Sequence, residues 1–388
     1  MLKFVTAIFI RWNSSHTFPS IQYAHTKGIF KVALPDQWLV VVAGPQHLED
    51  LKRMSEDQIS NYGGLDELLA GTHQFGAEFV ANPYHLPLIQ AHLNRNLSDF
   101  HPVLKDEMWA AFRDCIGSPD DYTLNVSRGR LIINLFPSIL KPIVAKLVNK
   151  VPSLIMQMKE VVGPTIEQRR EQAEQALRSK DEWENKPSVT QALYHLAADP
   201  SLAVPLREEL EAVLAEEHGD LTSKTAVSKL KKMDSFLKES QRLNGPNATS
   251  IWRKTLQPIT FSSGITVPAD TYLCATALGT HLDEHNYKDA TEFNPWRSVD
   301  EGAARGFAST TTDYIAFGQG RHRCPGRHFA AYVMKLMMAY IVLHYDVELD
   351  PAERGVRPAS KWISNTIIPN TTANVLLRGR KAIADIDL

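Results

Sequence analysis

The chain has 388 residues, of which 44% are hydrophobic and 22% charged, enough for one large core or two ordinary domains. A formal net charge of −2 gives no basis for nucleic-acid binding. Three cysteines, Cys115, Cys274 and Cys324, are an odd number at irregular spacing, which argues against a disulfide framework and against zinc spacing of the Cys-x-x-Cys kind. There are no internal repeats and no low-complexity tract.

In chain order, residues 1–11 form an apolar run far shorter than the ~20 residues of a spanning helix. A remnant of a membrane anchor, a signal peptide without a small-residue cleavage site and a core strand all remain open for it. Gly28 to Leu34 and Trp38 to Ala43 read as two strands joined by Pro35-Asp36. Gln46 to Met54 and Leu65 to Leu69 read as short helices. Helical spacing recurs between Pro87 and Phe112 and from Arg130 to Val162, the latter interrupted by Pro137, Pro142 and Pro152. Glu167 to Arg178 reads as a solvated helix. Pro200 to Ala215 reads as a helix with Leu206, Leu210 and Leu214 inward and Glu208, Glu209 and Glu216 largely outward. A further helix spans Asp234 to Leu243 and stops at Gly245-Pro246. Strands near Ile251–Thr255 and Thr271–Ala275, a long helix from near Pro325 to Leu343, and closing strands after Trp362 complete the pattern.

The densest chemistry lies in Phe317-Gly-Gln-Gly-Arg-His-Arg-Cys-Pro-Gly326. Gly318 and Gly320 allow backbone angles and close approaches that a Cβ would block. Arg321, His322 and Arg323 make the loop electropositive, and a helix starting just beyond Cys324 adds its positive end, both of which favour a thiolate. A single thiolate held in such a loop suits a metal ligand.

With Phe317, Gly320, Cys324 and Gly326 in place, the loop resembles the haem-binding loop of the cytochrome P450 monooxygenases, His322 standing where the pattern usually has Arg. The resemblance extends upstream. Glu239 and Arg242 stand three apart on one helix face, and Phe293-Asn-Pro-Trp-Arg297 follows. The family implies that Arg297 joins them in a buried triad beneath the haem loop. What the resemblance implies is a mainly α fold with small β-sheets, as a single domain over residues 1–388; this chain is expected to depart from it in lacking a spanning anchor and in a shortened distal helix.

The resemblance also implies haem b as cofactor, with Cys324 as the axial ligand of its iron and Phe317, Gly318, Gly320, Arg321, His322, Gly326 and Arg253 around it. His322 and Arg253 would meet the propionates, while Arg321 and Arg323 are candidates to face a redox partner. The usual earlier propionate contact is not recognisable; Arg95 with His92 is a poor substitute. Ala248, Ile251, Thr366 and Ile367 fall in segments that contact substrate in the family. O2, a small apolar substrate and a separate NADPH-cytochrome P450 reductase are the implied partners. The endoplasmic reticulum membrane is the implied location, with peripheral contact through residues 1–11 or a cytoplasmic chain as the alternatives.

Two departures stand out. Asp181 to Pro187 runs directly into Ser188-Val-Thr-Gln-Ala-Leu-Tyr-His-Leu, which resembles only the last turns of the family's distal helix. Its first half, with an acidic residue beside a Thr, has no counterpart, leaving Thr190 as the candidate distal hydroxyl, although such a Thr commonly bonds its own preceding turn. A second contraction is expected around Arg113 to Asp121. Two other activities therefore stay open: a catalytically impaired haem-binding remnant or gene-model fragment, and a haem-thiolate isomerase or dehydratase. Cys115 and Cys274 read as packing residues, and His195, His281 and His285 as surface or packing histidines.

Overall fold

A computed structural model describes residues 28–33, 37–69, 72, 187–221, 223–300, 306–350, 355–363 and 365–380. Elements expected between Pro87 and Arg178, the residues Arg95, His92 and Cys115, the second contraction and the N-terminal run lie outside them.

Strands β1 (Ile29–Ala33) and β2 (Trp38–Val42) form the expected hairpin, and helix α1 (Pro45–Arg53) follows with Pro45 at its first turn. A two-residue strand β3 (Ile59–Ser60) leads into α2 (Asn61–Leu69), which starts four residues earlier than the sequence pattern suggests. Helix α3 (Pro187–Ala198) enters a 3-10 turn over Pro200–Leu202, where Asp199 accepts from the Ser201 amide at 3.1 Å, and α4 (Ala203–Glu216) continues from it. Two helices follow, α5 (Lys224–Lys229) and α6 (Lys231–Asn244). Gly245 ends α6 in extended conformation.

Strand β4 (Thr249–Thr255), the small hairpin β5 (Ile259–Thr260) and β6 (Thr266–Val267), and β7 (Tyr272–Thr276) come next. They are followed by α7 (Ala277–His281), α8 (Arg297–Asp300) and the 18-residue α9 (Arg327–His344). α9 begins two residues beyond the expected Pro325, because Pro325 and Gly326 form the turn that delivers it. The chain then runs through β8 (Tyr345–Leu349), β9 (Lys361–Ile363), β10 (Thr366–Ile368) and β11 (Val375–Gly379).

The main sheet has the order β1-β2-β7-β4-β3, with β2 and β7 parallel and the other pairs antiparallel. Its interior is made by alternating residues such as Val40, Val42, Leu273 and Ala275, closed by Leu48 and Leu51 of α1. Cys274 points to the opposite face with Val41 and Trp252, and burial pushes its thiol up to about 12. It is an inert packing residue. A larger helical core gathers Leu196, Leu206, Leu210, Phe236, Leu237, Leu336, Met338 and Ile341 from α3, α4, α6 and α9. These four helices share one core, and Phe317 of the Cys324 loop packs against it.

One expected surface residue has a different role. Glu209 accepts from the Lys232 and Met233 amides at 2.6 and 3.0 Å. Leu230, the residue preceding α6, has no side chain able to cap it, so a carboxylate from α4 does so across the interface.

Candidate active site

The Cys324 loop leaves the core at Ile315 and returns at α9. The Gly318 amide donates to the Ile315 carbonyl at 2.9 Å, and the Cys324 amide donates to the Phe317 carbonyl at 2.8 Å. Gly318 and Gly320 have φ of 72° and 68°, in the left-handed region where a side chain is strained, which is the conformational reason for glycine there. A 3-10 turn over Gly320–His322 raises the chain so that Cys324 is exposed at the amino end of α9. Phe317 anchors the loop edge-on against buried Phe307, with ring centroids 5.4 Å apart. Arg321 and Arg323 project to solvent, and Arg327 donates to the Cys324 carbonyl at 3.1 Å.

Beside this loop lies a buried cation. Arg253 on β4 is 5% exposed and donates to Asn61 Oδ1 at 2.5 Å and to the Trp252 carbonyl at 2.8 Å. Among the described residues no carboxylate lies within ion-pair distance of it, and burial brings its guanidinium down to about 10. Gly64 makes the approach of α2 to β4 possible: a Cβ there would lie 2.4 Å from the Arg253 amide nitrogen. His322 is the other predicted member of this pair. Its Nε2 is 3.3 Å from Glu56, and burial followed by the nearby Arg253 charge holds its imidazole below the usual range.

Behind the loop, Glu239, Arg242 and Arg297 converge, all nearly fully buried. Arg242 donates from Nε and Nη2 to both oxygens of Glu239 at 2.8 and 2.7 Å, and Arg297 Nε donates to Glu239 Oε1 at 3.1 Å. The remaining guanidinium donors collect carbonyls: Arg242 takes His281 and Ala290 at 2.5 and 2.6 Å, and Arg297 takes Lys288 at 2.5 Å. Tyr287 lies under both guanidinium groups, 4.7 Å from that of Arg242. Three buried charges are therefore paired, hydrogen-bonded and used to fold the 281–297 segment.

The apolar residues expected over the cofactor divide. Ala248 and Ile367 pack together with Leu278, the Ile367 amide donates to the Pro246 carbonyl at 2.8 Å, and Thr366 bridges to Asn247. Ile251 is instead in the sheet interior with Ile29 and Leu273, at a register shift in β4 where its own φ is 52°. Thr190 is half-buried in the first turn of α3, a helix packed on α6 and α9.

Among the histidines, His285 is exposed, while His195 and His281 are buried. His195 stacks on Phe293 at 3.8 Å and bonds Asn244 at 2.8 Å. Sequence reasoning missed Asn61 and the linking position of His281. Nothing in a single sequence pairs Asn61 with Arg253, although the adjacent Gly63-Gly64 signals a close backbone approach.

The sequence model described as Cytochrome P450 matches residues 186–376. Cytochrome P450 monooxygenase 151 of Postia placenta is 32% identical over 440 aligned residues, covering 91% of this chain and 87% of the relative. The chain belongs to the cytochrome P450 family. A second relative, Cytochrome P450 monooxygenase CYP512U6 of Ganoderma lucidum, is 23% identical over 96% of this chain and 89% of its own. The crystal structure of a cytochrome P450, CYP102L1, superposes with a TM-score of 0.61 at 16% identity, covering 93% of this chain and 94% of the other, and so supports the fold. The alignment of 440 residues is longer than the 388-residue chain, so the Postia placenta P450 has residues without a counterpart here. Internal shortening relative to the family is consistent with that.

The cytochrome P450 monooxygenase family to which the chain belongs uses haem b as its cofactor. The residues present fit that group: one exposed sulfur on a glycine-shaped loop, and a buried guanidinium with no carboxylate partner among the described residues, suited to a flat dianionic ligand. Among the described residues there is no competing cluster of metal-binding side chains and no helix long and apolar enough to cross a membrane.

Proposed function

We propose that this P450 holds haem b through Cys324 and inserts one oxygen atom of O2 into a small apolar substrate, with electrons from a separate NADPH-cytochrome P450 reductase. Thiolate-held haem supplies oxygen activation, the sulfur's electron density favouring O–O cleavage. The supporting observation is an exposed Cys324 together with Arg253, a buried cation that has no carboxylate partner among the described residues. In this reading Arg253 and His322 receive the propionates, Phe317, Gly318, Gly320 and Gly326 shape the loop, and Arg321 and Arg323 offer positive charge to an acidic reductase surface. Ala248, Thr366 and Ile367 border the substrate, whereas Ile251 lies in the interior of the main sheet. The place of action is the cytosolic face of the endoplasmic reticulum, with peripheral contact through residues 1–11.

The test is the ferrous carbonyl spectrum of the reconstituted protein. Cys324→Ala should lose stable haem, and Cys324→His should hold haem with an imidazole-type carbonyl band. A wild-type protein that itself gives the imidazole-type band overturns the assignment.

A second reading, a catalytically impaired haem protein, is favoured by the residues of the relative that have no counterpart here and by the absence from the sequence of the acidic-Thr pair before Pro187. It is separated from the first by coupling, the ratio of product formed to NADPH consumed. An impaired site open to water should lose most reducing equivalents to peroxide, and a family-like distal helix inserted after Pro187 should raise both coupling and haem retention. Efficient coupling by the unaltered chain assigns Thr190, or ordered water, the proton-delivery role.

A further inference from the structure

His281 touches both the buried charge cluster and the Cys324 loop, through two different groups. Its carbonyl accepts from Arg242 Nη1 at 2.5 Å, and its Nε2 accepts from the Ile315 amide at 3.1 Å. Ile315 is the residue whose carbonyl closes the first turn of the loop onto Gly318. A backbone amide can only donate, so Nε2 carries the lone pair and the proton resides on Nδ1.

The ring is 2% exposed and lies against Tyr314 with centroids 5.3 Å apart and 21° between the planes. Tyr314 in turn donates to Gln241 at 2.8 Å, and Gln241 is the neighbour of Arg242 on α6. The ring therefore has one orientation fixed by stacking, one acceptor used by the loop, and a backbone held by the charge cluster. Burial brings its imidazole down to about 3, so the accepting form persists across the neutral range.

We propose that His281 is a positioning residue for the cysteine ligand: it transmits the fixed geometry of the Glu239–Arg242–Arg297 cluster to the start of the loop that seats Cys324. The inference rests on Cys324 being the haem ligand. Loss of the acceptor frees the Ile315 amide inside the core, where an unpaired donor is costly, and the loop relieves this by shifting the turn that begins at Ile315. The sulfur then samples positions from which it ligates poorly or as the thiol.

The experiment compares His281→Phe, which keeps an aromatic ring on Tyr314 without an acceptor, with His281→Gln, whose amide oxygen can accept from Ile315. Each purified holoprotein is read by the fraction of its ferrous carbonyl in the thiolate-type band and by the rate of haem transfer to an apoglobin scavenger. The Phe variant should transfer haem at least about tenfold faster and lose the greater part of the thiolate-type band, and the Gln variant should recover most of both. A Phe variant with unchanged band and transfer rate overturns the inference, as does a Gln variant no better than Phe at equal thermal stability. Should the Phe variant not fold, the nitrogen-15 histidine spectrum of the wild-type holoprotein decides: Nδ1 protonated and Nε2 bare supports the inference, and a protonated Nε2 overturns it. A wild type without the thiolate-type band overturns the Cys324 assignment and this inference with it, whereas failure in the variants alone leaves that assignment standing.

Discussion

Arg242 makes hydrogen bonds to both Glu239 oxygens and to the carbonyls of His281, Ala290 and Glu292 while 1% exposed. Arg242→Ala would leave a carboxylate and several carbonyls without donors inside the protein. Removing one partner of a buried pair typically costs about 3–5 kcal/mol, a large share of the stability of an ordinary domain. Thermal unfolding should therefore show a loss of many degrees or no cooperative transition, and Arg242→Lys should recover little, since an ammonium cannot form the paired bonds to Glu239. Unchanged unfolding of Arg242→Ala would show that the cluster does not carry the fold. At this scale the sequence is informative where chemistry is local: Glu239 and Arg242 are three apart on one helix, and the glycines around Cys324 mark their own φ values. It is silent where the partner is remote. Asn61 meets Arg253 across 192 positions, and His281 meets Ile315 across 34.

Helices and strands were readable from periodicity because their faces are set by the helical core and the sheet. Their ends were less so. Helix α6 is capped by Glu209 from α4, a contact that leaves no local signature, which is why Glu209 resembles an outward residue of an amphipathic helix. Glu209→Ala should destabilise the protein by about 1 kcal/mol, in the range of other lost helix caps, whereas Glu208→Ala on the exposed face should change little. Denaturant midpoints for the two variants measure the difference, and equal midpoints would remove the capping role. Strand β4 reads as an uninterrupted run, yet its register shifts between Ser250 and Arg253 and Ile251 takes a left-handed φ. A β-branched residue in that conformation costs on the order of 1–3 kcal/mol, so only the packed sheet around it holds it there. No propensity rule places a bulge at such a residue.

Across the whole molecule, two buried histidines couple stability to pH. Burial lowers both His195 and His281 from 6.5 to about 3, so each is neutral when folded and protonates near 6.5 when unfolded. The unfolded state therefore binds more protons below pH 6.5. Each histidine's contribution is complete above that pH and is lost as pH falls toward 3, with a limiting slope on the order of 1.4 kcal/mol per pH unit per residue. Denaturant unfolding between pH 7.5 and 5 should show this fall, and His195→Phe should shallow it; a flat profile would mean that both rings titrate normally.

The parallel pairing of β2 with β7 has a consequence for how the chain is made. Val40, Val41 and Val42 are fully buried only after β7 is present, with Val42 opposite Ala275. Roughly 230 residues must be synthesised between the two strands, which at ribosomal rates takes about 10–50 seconds. Throughout that interval the nascent hairpin presents a run of valines with an open hydrogen-bonding edge, a template for pairing with any neighbouring chain. The earliest-made part of the sheet thus keeps one edge unpaired until the strand that completes it leaves the ribosome.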